Sequence, residues 1–307
     1  MVPMEFEKDF RFDLIGSLRD YAGVATWSGH TYIPNEAIVR ASAALRSPVQ
    51  QDIVKIDPYN LEDQLIKHID LSMLPKGIPY FLHYDLAKGQ AGGDRIGVAM
   101  TRCIGEINVD RAGFHKNQGN HLVRDMLYQT NLAIAVVGKD GREVPLSRMR
   151  NFFVHLAEEG YQIAAVSADG NQSQDLLATA REASLVGELQ SVDIKRDAYD
   201  HFRDALLENR WTGPRNNLLI NEILKLQDNV KKIDHPVSTG MQGEKPSKDI
   251  ADCVAGSIYV CFKKSGGTKA LQSMVEYSKA MEKTQREIGV REQLKVFGMN
   301  KKKRLGQ

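Results

Sequence analysis

The chain has 307 residues, with 41 Lys and Arg against 39 Asp and Glu, so its formal net charge is +2. A hydrophobic share of 42% and a charged share of 26% exclude wholesale disorder and leave ample core for one large domain or two small ones. No apolar run reaches the roughly 18 residues of a membrane helix, and the charged start MVPMEFEKDFRFD lacks the apolar stretch of a secretory signal.

Three cysteines, Cys103, Cys253 and Cys261, make no disulfide framework and fit a reducing cytoplasm, where they pack as small hydrophobes. Residues 1–75 carry weak helical patterns, such as IPNEAIVRASAAL (33–45) and NLEDQLIKHI (60–69), and no strand alternation. They read as an approach or linker segment. Pro75 and Pro79 mark a boundary. PYFLHYDLA (79–87) then reads as a buried strand, KGQAGGD (88–94) as a turn and RIGVAMTRCIG (95–105) as the second strand of a hairpin. Residues 106–125 are polar and read as a loop. NLAIAVVG (131–138) is a third strand.

The period then changes. Pro145 opens a helix to about Glu159, with Phe152, Phe153, Leu156 and Ala157 on one face. YQIAAVSAD (161–169) is a fourth strand. NQSQDLLATAREASL (171–185) is a helix capped by Asn or Ser, and ELQSVD (188–193) a fifth strand. Two amphipathic helices (197–209 and 215–227) flank Gly213-Pro214, followed by the short extended piece VKKIDHP (230–236). KDIADCVAGSIYVCF (248–262) is apolar nearly all round, so it is expected to be buried. The last 43 residues carry helical signals and end in the basic run KKKR (301–304). Three antiparallel strands followed by helix–strand alternation imply an α/β fold, with a mixed sheet of about five main strands and helices on both faces.

The acids fall in a pattern. Asp85 and Asp169 end the first and fourth strands, where open α/β sheets place their sites. Asp249 and Asp252 share one face of the first turn of the buried helix, where the dipole favours an anion. Carboxylates gathered at one sheet end repel one another unless cations lie between them. Oxygen-only ligands suit Mg²⁺ or Mn²⁺, and two such ions about 3.5–4 Å apart serve phosphodiester hydrolysis. Each acid also has a plain reading, Asp169-Gly170 as a turn and Asp249 as a helix cap. His83 alternates with Asp85 along its strand, and reads either as lining the cleft or as packed in the core. His115, His121 and His235 have no cysteine at ligand spacing, which argues against zinc. No G-x-S-x-G elbow supports a serine nucleophile.

Several strings carry a resemblance. HYDLAKGQAGGDRIGVA (83–99), VSADGNQSQDLL (166–177), SVDIKRDAYDHFRDALLENR (191–210), KIDHP (232–236) and SKDIADCVAG (247–256) resemble, in order, the acidic motifs of the nuclease domain of bacteriophage terminase large subunits. LRDYAGVAT (18–26) resembles the stretch that follows the ATPase domain in those subunits. The resemblance implies an RNase H-like fold of the resolvase–integrase type, and a two-metal endonuclease that cuts concatemeric viral double-stranded DNA during packaging in the host cell cytoplasm.

By position it makes Asp85, Asp169 and Asp249 the metal-binding acids, with Asp252 assisting. The role of Asp94 is open, because the turn before it is longer than the family's tight form. Lys88, Arg95, Lys195 and Arg196 are expected to meet DNA phosphates. Implied partners are the ATPase domain, the portal and the small terminase subunit, with no membrane. No G-x-x-x-x-G-K-[ST] occurs, so no ATP hydrolysis is expected, and the chain reads as the nuclease part of a larger protein. The expected division is 1–75 as the approach segment, 76–264 as the nuclease domain and 265–307 as a helical, basic tail. A Holliday-junction resolvase or a transposase-like nuclease of the same fold is the alternative enzyme. A DNA-gripping or docking module whose acids are only caps and turns is the non-catalytic alternative.

Overall fold

A computed structural model describes residues 6–7, 17, 21, 31–33, 35–89, 95–111, 121–170, 173–192, 194–228, 232–235 and 247–265. Asp94, His115 and the basic tail lie outside these residues. The chain divides into two compact units, Met1–Lys264 and Ser265–Gln307.

In chain order the elements are α1 (Glu36–Ser42), β1 (Ile53–Ile56), β2 (Tyr80–Asp85), β3 (Ile96–Arg111), β4 (His121–Gly138), α2 (Leu146–Glu158), β5 (Ile163–Ala168), α3 (Gln174–Glu182), β6 (Val186–Leu189), α4 (Asp197–Leu207), β7 (Trp211–Thr212), α5 (Asn217–Lys225), β8 (Gln227–Asp228), β9 (Ile233–Asp234) and α6 (Asp249–Ser265). The main sheet runs β1-β4-β3-β2-β5-β6, and β7 pairs with β4. β2, β3 and β4 are antiparallel neighbours, whereas β2–β5, β5–β6 and β1–β4 are parallel. The mixed α/β class expected from the sequence is present.

Alternation along the strands sorts the side chains onto two unlike faces. One face carries large apolar residues: Tyr80, Leu82 and Tyr84 of β2, Ile96, Val98 and Met100 of β3, and Leu132, Ile134 and Val136 of β4. Phe152, Phe153 and Leu156 of α2 and Leu176 and Leu177 of α3 close over it. The other face is built of small residues, such as Gly97, Ala99, Thr101, Ala135 and Ser167. Small side chains let α6 lie close to the strands. A Cβ at Gly97 would meet the Asp249 carbonyl oxygen at 2.2 Å, and one at Gly256 would meet the His83 ring at 2.5 Å. Glycine inside a strand marks such an approach. Thr101 Oγ1 bonds Ser257 Oγ at 2.7 Å and Thr130 Oγ1 at 2.8 Å, tying helix to sheet through hydroxyls.

Three sequence expectations change. Residues 106–125 are not all loop, because β3 and β4 extend to Arg111 and from His121 as a paired ribbon. Glu106 and Arg124 form an ion pair on it, and Ile104, Ile107 and Leu122 are exposed. Its exposed apolar residues and its ion pair break the apolar alternation, so the segment looks polar and irregular. Residues 53–56, expected to lack a strand, form β1 on the sheet edge. The fifth strand begins at Val186 rather than at 188.

Candidate active site

β2 and β5 run in parallel with Tyr84 opposite Ala168, so Asp85 and Asp169 are the next residues in register. The Asp169 N–H donates to the Tyr84 carbonyl at 3.2 Å, which continues the pairing. Neighbouring strands lie about 4.8 Å apart, and alternation turns both acids toward the α6 face. Asp85 also pairs with Gly97 across β3, and Asp249, the first residue of α6, lies against Gly97. Register and the close helix approach thus bring three acids from distant parts of the chain to one end of the sheet.

Backbone groups and hydroxyls hold all three ends. The Asp85 N–H donates to Cys253 Sγ at 3.1 Å, pinning the end of β2 to α6. Asp169 Oδ2 accepts from the Val192 N–H at 3.1 Å and the Ser191 hydroxyl at 3.2 Å. Asp249 Oδ2 accepts from the Arg95 N–H at 3.2 Å and from Ser247 Oγ at 2.5 Å. All three donor groups are carboxylates, a set suited to hard divalent cations. Among the described residues, no three His, Cys, Asp or Glu side chains close into a group that would grip a metal ion. The donor chemistry therefore fits, while the three carboxylates stand side by side without forming a cage.

The other expected residues fall elsewhere. Asp252 is buried, and both its oxygens meet Lys248 Nζ, at 2.9 and 2.7 Å, while the Tyr199 hydroxyl donates to Oδ1 at 2.5 Å. It is the anion of a buried ion pair that fixes the first turn of α6. His83 is fully buried beneath Gly256. Its Nδ1 lies 2.9 Å from Ser167 Oγ, whose own proton goes to the Leu82 carbonyl. Nδ1 must therefore carry the ring proton. Burial lowers its pKa to about 4, with Asp169 pulling the other way and Lys263 adding to the drop. His83 is a neutral core residue.

Lys88 is exposed and faces Glu143 at 3.4 Å. Arg95 contributes its backbone N–H to Asp249. Lys195 is exposed. Arg196 forms a two-pronged pair with Asp228 at 2.8 and 2.9 Å and reaches Asp200 as well, which raises its pKa.

Sequence reasoning missed Glu222. It sits on the buried stripe of α5 with Leu219 and Ile223, an acid at an apolar position, and that was the available signal. Its Oε2 accepts the N–H groups of Ile250 and Ala251, both at 2.9 Å, so it caps α6 from another element. Burial pushes its pKa up from 4.5 to about 8; Asp249 and Asp252 add to the rise, and the two N–H bonds oppose it. Between those values the folded state holds a proton that the unfolded chain has lost. Stability supplied by that proton is complete below about pH 4.5 and falls as pH rises toward about 8. Glu222→Gln keeps an acceptor but cannot ionise. The stability of the wild type relative to this variant should therefore decline over that window, by at most ~1.4 kcal/mol per pH unit. Thermal melts without added metal would test this, and a flat difference would refute it.

No protein-family model and no curated protein matches the chain. Among solved structures, the large terminase nuclease of thermophilic phage G20c matches at 10% identity with a TM-score of 0.43, over 73% of this chain and 96% of that one. The same nuclease with bound magnesium matches at 12% identity and TM-score 0.40, over 70% and 98%. The HK97 bacteriophage large terminase matches at 8% identity and TM-score 0.43, over 74% of this chain but 43% of its own length. These matches to phage large-terminase structures lie at 8–12% identity and TM-scores of 0.40–0.43.

Proposed function

We propose that this chain is a metal-dependent DNA endonuclease that cuts viral double-stranded DNA during genome packaging. The observation that carries the reading is the convergence of Asp85, Asp169 and Asp249 at one sheet end, through strand register and the approach of α6 to Gly97. Those three carboxylates would hold Mg²⁺ or Mn²⁺. Bound there, the ions supply an activated water and neutralise the leaving oxygen of a phosphodiester.

The chain's own residues supply position. The Val192 N–H and Ser191 hydroxyl orient Asp169, and the Arg95 N–H and Ser247 orient Asp249. The Asp85–Cys253 contact fixes the end of β2. Asp252 acts through Lys248 and Tyr199, holding the start of α6 in place. The ATPase domain, portal and small terminase subunit would be its partners. No helix among the described residues is long and apolar enough to cross a membrane.

A second reading has an observation behind it. The contacts of Asp169 and Asp249 are also those of a turn and a cap, as a non-catalytic DNA-gripping module would have. Nicking of supercoiled plasmid separates the two. Cutting in Mg²⁺ or Mn²⁺ that stops in EDTA is the expected result. No cutting in either metal at low salt would overturn the nuclease reading for this chain.

A further inference from the structure

Beside β1, on the sheet edge farthest from β6, lies an open pocket of about 610 Å³. Lys55, Lys67 and Lys139 line it together with His68, and Asp70 is the one acid in the lining. Asp70 Oδ1 already accepts from the N–H and hydroxyl of Ser72. Lys67 lies 3.2 Å from Glu62, and Lys139 lies 3.3 Å from Asp63, which also holds His68 at 2.6 Å. Lys67 and Glu62 are both exposed, and a pair of that kind is weak enough to exchange partners, whereas Lys139 is half exposed on a largely buried Asp63. Lys55 is exposed and has no anionic partner among the described residues. The pocket therefore offers several ammonium groups to an incoming anion.

Register ties Lys55, at one rim of the pocket, to the acids, whereas residues 65–69 of the other rim pack with α2 on the opposite face, so the pocket wraps the sheet edge. Asp85 pairs with Gly97, Gly97 with Ala135, and Ala135 with Ile53. Lys55 lies two residues farther along β1, toward the end of the sheet that holds Asp85. Val54 and Ile56 belong to the large apolar core, so alternation places Lys55 on the same face as the acids. Three strand spacings sideways and two residues along amount to roughly 16 Å. A duplex rises about 3.4 Å along its axis per base pair, so with its axis along this line the span covers about four to five base pairs.

We infer that this pocket is a phosphate subsite for duplex DNA, gripping the backbone about four to five base pairs from the bond that is cut. The choice of DNA over another phosphate ester rests on the nuclease reading above. An ammonium is a point charge that recognises phosphate without reading bases, so the subsite would set position and affinity but not sequence.

The test is binding of a labelled 30-base-pair duplex across a salt series in EDTA, with plasmid cutting measured in parallel. The proteins are wild type, Lys55→Glu and Lys55→Ala/Lys67→Ala/Lys139→Ala, with melting curves to establish that each is folded. Each lost phosphate contact should reduce the salt slope by about 0.9. Lys55→Glu should thus bind roughly tenfold more weakly at low salt, and the triple variant should lose about two to three from the slope. Equal binding by all three, with a wild type that cuts, would overturn the subsite and leave the nuclease reading standing. Weaker binding by the variants, with a wild type that never cuts, would support a DNA grip while the nuclease reading fails. Calorimetry with inorganic phosphate covers the other source of the same chemistry. Binding of that ion lost in Lys55→Glu, with duplex binding unchanged, would overturn the DNA assignment in favour of a free anion.

Discussion

Asp85→Asn is expected to abolish cutting while leaving the fold intact. The two side chains have the same shape, so the β2 end and its contact with Cys253 Sγ should survive. What disappears is one negative charge at the point where β2, β5 and α6 converge. Residues that only support a metal ligand are worth about 10- to 100-fold when lost. A ligand itself should therefore be worth at least about 100-fold, or ~2.7 kcal/mol of barrier. Stability should change little, because the substitution keeps the shape of the side chain and the backbone contact with Cys253. With Mg²⁺ or Mn²⁺ the wild type alone should gain in melting temperature, because binding to the folded state stabilises it by mass action. Cutting by Asp85→Asn at wild-type rate would remove Asp85 from the site.

The two layers of this fold differed in how plainly they were written in the sequence. β2, β5 and the inner part of β4 are continuous apolar runs, since both of their faces are covered, and such runs stand out. The same holds for α6, buried from Ile250 to Ser257. The positions of Asp85, Asp169 and Asp249 followed from those elements, because a strand end and a helix start are local facts. Their convergence is not local. It depends on Gly97, whose lack of a side chain admits the Asp249 backbone, and nothing nearby in the chain announces that role. β1 was hidden by brevity, since IVKI is four residues long and only its pairing with β4 identifies it. The outer ribbon was hidden for a different reason. Part of its matching is between its own two strands, as Glu106 is to Arg124, and that pairing leaves no apolar period in either strand alone. Glu222 was visible as an acid on an apolar stripe. Its work is done 28 residues away, on the N–H groups of Ile250 and Ala251, 2.9 Å from its Oε2.

Asp252 is where spacing and structure part most sharply, and it yields the largest expected change in stability. Its i, i+3 relation to Asp249 suggested a second acid for the same cations. Its oxygens instead meet Lys248, and both side chains are about 8% exposed. Removing one partner of a buried pair costs up to about 3–5 kcal/mol, and Asp234, whose pKa Lys248 helps to lower, offsets part of the Lys248 charge. Asp252→Asn and Lys248→Gln should each lose stability, by up to roughly 6–20 °C in melting temperature for a domain of this size. The double variant removes both charges and keeps polar groups for the Tyr199 hydroxyl and for each other. It should recover much of the loss, with a coupling of about 2 kcal/mol or more in a double-mutant cycle. It should also keep metal-dependent cutting within tenfold of wild type, because Asp249 still begins α6 against Gly97. Additive losses would dissolve the ion pair as the explanation. A stable double variant unable to cut at any metal concentration would return Asp252 to the metal site.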